Sequence, residues 1–217
     1  HGTRTAPRLP AVKHADSTIP LDDAVATAAT GDLWLFRGRT GADRAIQTLT
    51  NSPVNHVGMA IVIDDLPPLL WHAELGTSLP DVWTGEYQRG VQLHMLGDAV
   101  EVWRRKYGQR AWIRQLDGGP LTRAHEDQLM EAIARYDGKA FPRSGALLRS
   151  WLRGRVVRTP RDKETTYCAE LVAATYQDMG LLGRLRPADW YDPGAFWSGD
   201  GIELTPPYHL GGEIAVL

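Results

Sequence analysis

The chain has 217 residues, of which 43% are hydrophobic and 23% are charged, and its formal net charge at pH 7 is -2. This length and composition predict one globular domain, and the charge argues against a nucleic-acid partner, which needs a concentrated positive field. No apolar run approaches the roughly 20 residues of a transmembrane helix, so we expect no integral membrane segment. Composition leaves the oligomeric state open.

The beginning of the chain differs in character from the rest. Residues 1–20 are polar and contain prolines, which predicts a flexible arm ahead of a single domain over residues 21–217. The only cysteine, Cys168, cannot form an internal disulfide, which favours a reducing compartment. The arm has no apolar signal core, so a cytoplasmic location is favoured.

The first half of the domain reads as a short helical piece in "LDDAVATAAT", followed by strands around a second helix. A strand is predicted over 32–36 after a Gly-Asp turn, and a helix over 42–49 is ended by "NSP". The clearest strand covers 56–63, where apolar residues alternate between two faces. After the turn "DDLPP", residues 69–74 return as a second strand, which predicts an antiparallel hairpin.

The second half adds two strands and two helices. The strands are "GVQLHML" and "AWIRQL", and the first helix, "LTRAHEDQLMEAIARYDGK", is stopped at Gly138. The second helix runs from about Cys168 to Gly180, a favourable left-handed terminator. The tail, rich in proline, glycine and aromatic residues, is expected to wrap the core. Together these elements predict an α+β fold with an antiparallel sheet.

Cys168 permits two interpretations. It lies on the apolar face of its helix, and a free cysteine often packs as a small core residue. In the first turn of a helix, however, the dipole and unpaired N–H groups favour the thiolate and can hold a developing oxyanion. The same position is therefore typical of a nucleophile.

A thiol nucleophile needs a base and a group that orients the base. His56 opens the clearest strand, and His72 lies on the return strand, so the hairpin can bring the two rings together. Glu74, on the same face as His72, is the alternative orienting residue. We treat His94 as structural, since nothing in its sequence context indicates another role.

Four segments of the chain resemble a known family. "GDLWLF", "NHVGMAIV", "LLWHAELG" and "TYCAELVAATYQDMGL" resemble, in this order, the circularly permuted papain-like hydrolases of the NlpC superfamily. The group that they resemble most is the YiiX-like permuted amidases, with the lecithin:retinol acyltransferase-like proteins as relatives. The resemblance spans about residues 30–200. It implies a permuted papain-like fold, an antiparallel sheet or partial barrel packed against helices that include the cysteine helix.

The resemblance also implies roles for individual residues. Cys168 matches the nucleophile, His56 the base, and His72 the polar position on the following strand, with Glu74 as the alternative there. Tyr167 is a possible lining residue of the substrate site. The implied reaction is hydrolysis of an amide through a thioester, with no cofactor and no metal. Ala169 departs from the serine that commonly follows the cysteine in this group.

Two other functions stay open. Residues 141–163 are basic and include an apolar stripe, which suits recruitment of an anionic substrate or lipid headgroup but also suits a solvated, packed loop. One alternative is therefore a thiol acyltransferase or lipase acting on lipid esters, and the other is a non-catalytic binding module. The expected substrate is a peptide, an amide or a lipid-derived small molecule. Trp190 and Trp197 either line its cleft or cover the core.

Overall fold

A seven-stranded sheet forms the centre of the computed structural model, which describes residues 18–38, 53–74, 76–138, 160–198 and 202–217, with only the backbone for 160–166. The strands, in chain order, are β1 Thr18–Ile19, β2 Leu33–Arg37, β3 His56–Ile61, β4 Leu69–Glu74, β5 Gly90–Met95, β6 Arg110–Arg114, β7 Leu116–Asp117, β8 His209–Leu210 and β9 Ile214–Val216. Their order in the sheet is β1-β9-β6-β2-β3-β4-β5, and β7 and β8 form a separate pair. Every pairing is antiparallel except that of β1 with β9.

Within the described ranges, four helices cover the two faces of this sheet. They are α1 Leu21–Ala26, α2 Leu96–Tyr107, α3 Arg123–Tyr136 and α4 Pro160–Asp178, and two short 3-10 turns follow at Ala188–Trp190 and Pro193–Phe196. One apolar cluster joins a sheet face to α1 and α2, and a second joins the other face to α3 and α4. Because both faces are covered, every residue of β3 and β4 is buried. The predicted α+β class with an antiparallel sheet is confirmed.

The predicted hairpin is also present. β3 and β4 pair antiparallel with Met59 opposite Trp71, and the alternating residues of β3 divide between the two clusters as the sequence pattern indicates. The predicted helix over 121–139 is α3, in which the Thr122 hydroxyl accepts from the His125 backbone N–H at 3.3 Å. Gly180 has a φ of +78°, so the predicted terminator adopts the left-handed conformation.

Two elements differ from the sequence predictions. Thr18 and Ile19 pair with β9, so the sheet includes residues assigned to the arm, of which 1–17 lie outside the described residues. The sequence analysis also predicted no element over α2, although its buried residues have helical i, i+3, i+4, i+7 spacing: Leu96, Ala99, Val100 and Trp103. The signal is easy to miss, because α2 follows β5 with no turn residues between them.

Some predicted features lie outside the described residues. These are the helix over 42–49 and most of the basic segment 141–163. Among the helices that the structure does describe, none combines the length and apolarity required to cross a membrane.

Arg114 holds the C-terminal tail against the sheet. Its guanidinium donates to the carbonyl oxygens of Gly211 at 2.7 Å, Phe196 at 2.6 Å and Leu210 at 3.3 Å. Phe196 ends a 3-10 turn, Leu210 ends the short strand β8, and Gly211 follows it, so one buried cation joins separate tail segments to β6. The described part of the tail wraps the core as predicted.

Trp71 links the sheet to α4. Its indole Nε1–H donates to the Thr175 hydroxyl at 3.0 Å, and both side chains are fully buried. We expect Trp71→Phe to lower the free energy of unfolding by about 2–4 kcal/mol, because it removes a buried hydrogen bond and leaves a cavity. Urea unfolding measures the change.

The matched control is Trp83→Phe, since Trp83 is 50% exposed and its replacement should change stability by less than about 0.5 kcal/mol. A double-mutant cycle with Thr175→Val isolates the hydrogen bond. Equal losses at Trp71 and Trp83 would contradict this account of how α4 is attached.

Candidate active site

The imidazole rings of His56 and His72 meet on one face of the β3–β4 hairpin. His56 Nε2 and His72 Nδ1 are 3.2 Å apart, which is hydrogen-bonding distance. Gly58 permits this approach: a Cβ atom there would lie 2.7 Å from Leu70 Cδ1 and 3.2 Å from His72 Cβ. The hairpin therefore brings together the two histidines that the sequence predicted to be neighbours.

His94 extends this pair into a row of three imidazoles. β5 pairs with β4 so that His94 lies opposite Leu70 and Gln92 lies opposite His72. His72 Nε2 is 3.0 Å from His94 Nδ1, and His94 Nε2 is 3.2 Å from Gln92 Oε1. The sequence analysis treated His94 as structural. One sequence signal was available: Gln92 and His94 are two residues apart in a predicted strand, so their side chains lie on the same face.

Aromatic rings of α2 and β2 enclose the histidine row. The Trp103 ring centroid is 5.3 Å from that of His56 and 5.0 Å from that of His72, both nearly edge to face. The Phe36 ring centroid lies 5.8 Å from that of His56. Only 7% of His56 is exposed, and His72 and His94 are fully buried. The row therefore opens to solvent at His56 alone.

Glu74, the alternative orienting residue, contacts a different group. Its carboxylate accepts from the Ser78 backbone N–H at 3.1 Å and from the Ser78 hydroxyl at 2.9 Å. The Ser78 oxygen in turn accepts from Trp103 Nε1–H at 2.9 Å. Glu74 thus anchors the ring that covers the histidines, whereas His56 shares its hydrogen bond with His72.

Burial keeps the three imidazoles neutral. It lowers the pKa of His56 from 6.5 to about 3, and the charge of a protonated His94 adds to the effect. The pKa of His72 is lowered well below 6.5 by burial and then by the charges of its two neighbours. Burial also lowers the pKa of His94 to about 4, although Asp81 and the Leu79 backbone oppose the shift. All three rings are therefore neutral bases at pH 7.

Cys168 occupies a different position in its helix from the one predicted. α4 begins at Pro160 and has 19 residues, so Cys168 lies in the middle of the helix and not in its first turn. Unpaired N–H groups and the positive end of the dipole belong to the first turn, because farther along each N–H bonds to the carbonyl four residues back. The expectation that backbone N–H groups at Cys168 form an oxyanion hole is wrong for this arrangement.

The sulfur also lies across the sheet from the histidines. Cys168 is fully buried in the cluster that contains Met59 and Trp71. The side chains of His56 and His72 alternate with these two residues and contact Trp103 on the opposite face. The predicted convergence of sulfur and imidazole in an open groove is therefore not the arrangement that the structure describes.

The other predicted lining residues lie near α4 and the tail. Tyr167 is half-buried beside Cys168, and burial raises the pKa of its hydroxyl. Trp190 is 50% exposed and lies 3.7 Å beneath the Arg186 guanidinium. The Trp197 ring packs edge to face on Trp112, with centroids 5.4 Å apart. Trp197 thus covers core, whereas Trp190 remains half-exposed.

No described protein family matches the sequence, and no curated protein matches it. Among solved structures, the chain is similar to one described as the crystal structure of metalloprotein yiiX from Escherichia coli O157:H7, DUF1105, with 23% sequence identity and a TM-score of 0.45. The likeness covers 70% of this chain and 66% of that one, just under two thirds of its length. The roles of residues in this site therefore rest on the chain's own geometry.

The histidine row is arranged as a series of hydrogen-bonded rings. Within the described ranges, no group of three or more histidine, cysteine, aspartate or glutamate side chains is placed to hold a metal ion. His56 Nε2 and His72 Nδ1 are 3.2 Å apart, and His72 Nε2 and His94 Nδ1 are 3.0 Å apart, so each of these nitrogens is within hydrogen-bonding distance of a nitrogen of the next ring. Such a row can orient an imidazole base and relay a proton.

The neutral row predicts a marked pH dependence of stability. Unfolded imidazoles, with a pKa of about 6.5, bind protons in a range where the folded ones do not. Stability is therefore fully present above about pH 6.5 and is lost as the pH falls toward 4, by about 1.4 kcal/mol per pH unit for each imidazole. Urea unfolding at pH values between about 7.5 and 5 measures this slope.

The variant His94→Gln should reduce the slope, because it removes one of the three buried bases. His209→Gln is the matched control, since His209 is exposed. A free energy of unfolding that stays constant over this pH range would contradict the burial of three neutral imidazoles.

Proposed function

We propose that this chain is a cysteine-dependent hydrolase of the circularly permuted papain-like type, which cleaves an amide through a thioester intermediate. The observation that supports it is the hydrogen bond between His56 and His72, an imidazole base held by a second polar side chain. The same two positions match the base and orienting positions of that family. Burial of neutral, mutually bonded rings has a free-energy cost, which an acid–base function explains better than packing does.

In the proposed reaction His56 accepts the thiol proton of Cys168, and the sulfur bonds to the carbonyl carbon of the substrate. The carbon–nitrogen bond breaks, and His56 returns the proton to the leaving amine. His56 then takes a proton from water, whose oxygen bonds to the carbonyl carbon and displaces the sulfur. His56 returns this proton to the departing thiolate, so the products are the amine, a carboxylic acid and the free thiol. His72 holds the His56 ring in place throughout.

This chemistry requires a conformation other than the one described, because Cys168 and the histidines lie on opposite faces of the sheet. His56 is the first residue of β3, so its side chain lies at the end of the strand. To reach the face that carries Cys168, it has to pass around this end of the strand and not through the sheet. Cys168 must at the same time become accessible to substrate. The proposal thus includes a rearrangement of α4 relative to the end of β3.

A second candidate is a binding module that keeps the fold without thiol chemistry. The complete burial of Cys168 in an apolar cluster favours it. A third, the thiol acyltransferase or lipase, uses the same nucleophile and differs in substrate. Panels of amides and phospholipid esters separate the two enzymes, and turnover of lipid esters without amide cleavage would favour the third.

Substitution of the proposed nucleophile and base tests the hydrolase directly. We expect Cys168→Ser and His56→Gln each to lower kcat/KM on a cleaved amide on the order of 10³-fold, since nucleophile and base act as a unit. His125→Gln is a matched control, because His125 caps α3 away from the row. Unchanged turnover in Cys168→Ser would eliminate thiol catalysis.

Alkylation of the only cysteine tests whether the sulfur is reached and activated. We expect iodoacetamide to label Cys168 at pH 6 faster than a free thiol, because a paired imidazole favours the thiolate, and we expect His56→Gln to abolish the excess rate. Mass spectrometry of the intact protein follows the reaction. Labelling no faster than that of a free thiol, together with unchanged activity of Cys168→Ala, would support the binding module.

A further inference from the structure

The histidine row ends at a side chain that cannot titrate. His94 Nε2 faces Gln92 Oε1 at 3.2 Å, and an amide oxygen only accepts hydrogen bonds. A hydrogen bond between these two atoms therefore requires a proton on His94 Nε2.

One proton position then determines the others. A neutral imidazole has one donor and one acceptor nitrogen. With His94 Nε2 protonated, His94 Nδ1 is the acceptor and takes its hydrogen bond from His72 Nε2–H at 3.0 Å. His72 Nδ1 is then the acceptor for His56 Nε2–H at 3.2 Å. The remaining nitrogen, His56 Nδ1, is left with its lone pair.

That lone pair lies on the one ring of the row with exposed surface. His56 is 7% exposed, while His72, His94 and Gln92 are fully buried. Within the part of the chain that the structure describes, His56 Nδ1 has no hydrogen-bond partner. Among the three rings, the row thus ends in an acceptor nitrogen on the one that retains exposed surface, where a substrate or a thiol can approach it.

We propose that Gln92 and His94 are positioning residues that set the tautomer of His56, with its proton on Nε2 and Nδ1 as the acceptor. They act through His72 and touch no reacting atom. The effect on turnover rests on the proposed hydrolase function, in which His56 is the base, whereas the tautomer itself does not. The orientation of His56 then depends on three side chains in series: the imidazoles of His72 and His94 and the amide of Gln92.

The acidic groups around the row accept hydrogen bonds from other residues, and the acceptor at the His94 end is a side-chain amide. Asp81 Oδ1 accepts from the Leu93 N–H at 2.9 Å, and Asp81 Oδ2 accepts from the N–H groups of Trp83 and Thr84. The Glu74 carboxylate accepts from Ser78. A neutral terminal acceptor orients the rings without the charge that would favour protonation of the row.

Nitrogen-15 NMR of the histidine-labelled protein at pH 7 tests the proposal, because long-range proton–nitrogen spectra distinguish protonated from unprotonated ring nitrogens. In the unmodified protein we expect His56 as the Nε2–H tautomer. In Gln92→Met we expect averaged nitrogen shifts at His56, and in Gln92→Glu, which keeps an acceptor, the original tautomer. Gln88→Met is the control, since the Gln88 amide donates to the Val91 carbonyl instead of to the row.

A proton on His56 Nδ1 in the unmodified protein would overturn the proposal, and this result does not depend on any variant folding. An unchanged His56 tautomer in folded Gln92→Met would overturn it as well. For turnover, we expect Gln92→Met to lower kcat at least about tenfold with KM unchanged, and Gln92→Glu to restore it. If Cys168→Ser keeps full activity while the NMR result is as expected, the cysteine-dependent mechanism fails and the tautomer assignment stands.

Discussion

Hydrogen bonds between neighbouring imidazoles allow three polar rings to be buried beneath Trp103. A buried donor or acceptor without a partner costs about 1–3 kcal/mol, so the row of His56, His72 and His94 is tolerated because facing nitrogens satisfy one another. The register of β3, β4 and β5 provides this match. A slip of one residue in any of the three strands would turn its histidine to the other face.

The side chains that cover the histidine row help to keep its rings buried and neutral. Trp103 of α2 packs on the imidazoles, and its indole N–H is held by Ser78, which Glu74 holds in turn. Excluding water lowers the pKa of each imidazole, so the enclosure and the neutral state of the row have a single cause. Only His56, at the end of its strand, remains in contact with solvent.

The sheet separates this row from the thiol. α4 packs on the opposite face, where Thr175 bonds to Trp71 and Cys168 lies among apolar side chains. The proposed base and its hydrogen-bonded neighbours thus lie together on one face, apart from the proposed nucleophile. A hydrolase of this fold must connect the two faces at the end of β3, and a binding module has no such requirement.

The sequence by itself determined the hairpin, since the alternation over 56–63 and the turn at "DDLPP" are local patterns that brought His56 and His72 to one face. It also determined where α3 and α4 end, because glycines favour the conformations found there. Only the tertiary structure decided that His94 joins the row and that Cys168 faces away from it. The first outcome depends on the pairing of β5 with β4, and the second depends on where α4 begins and on which face of the sheet α4 covers. Packing between segments that are distant in the sequence determines all three.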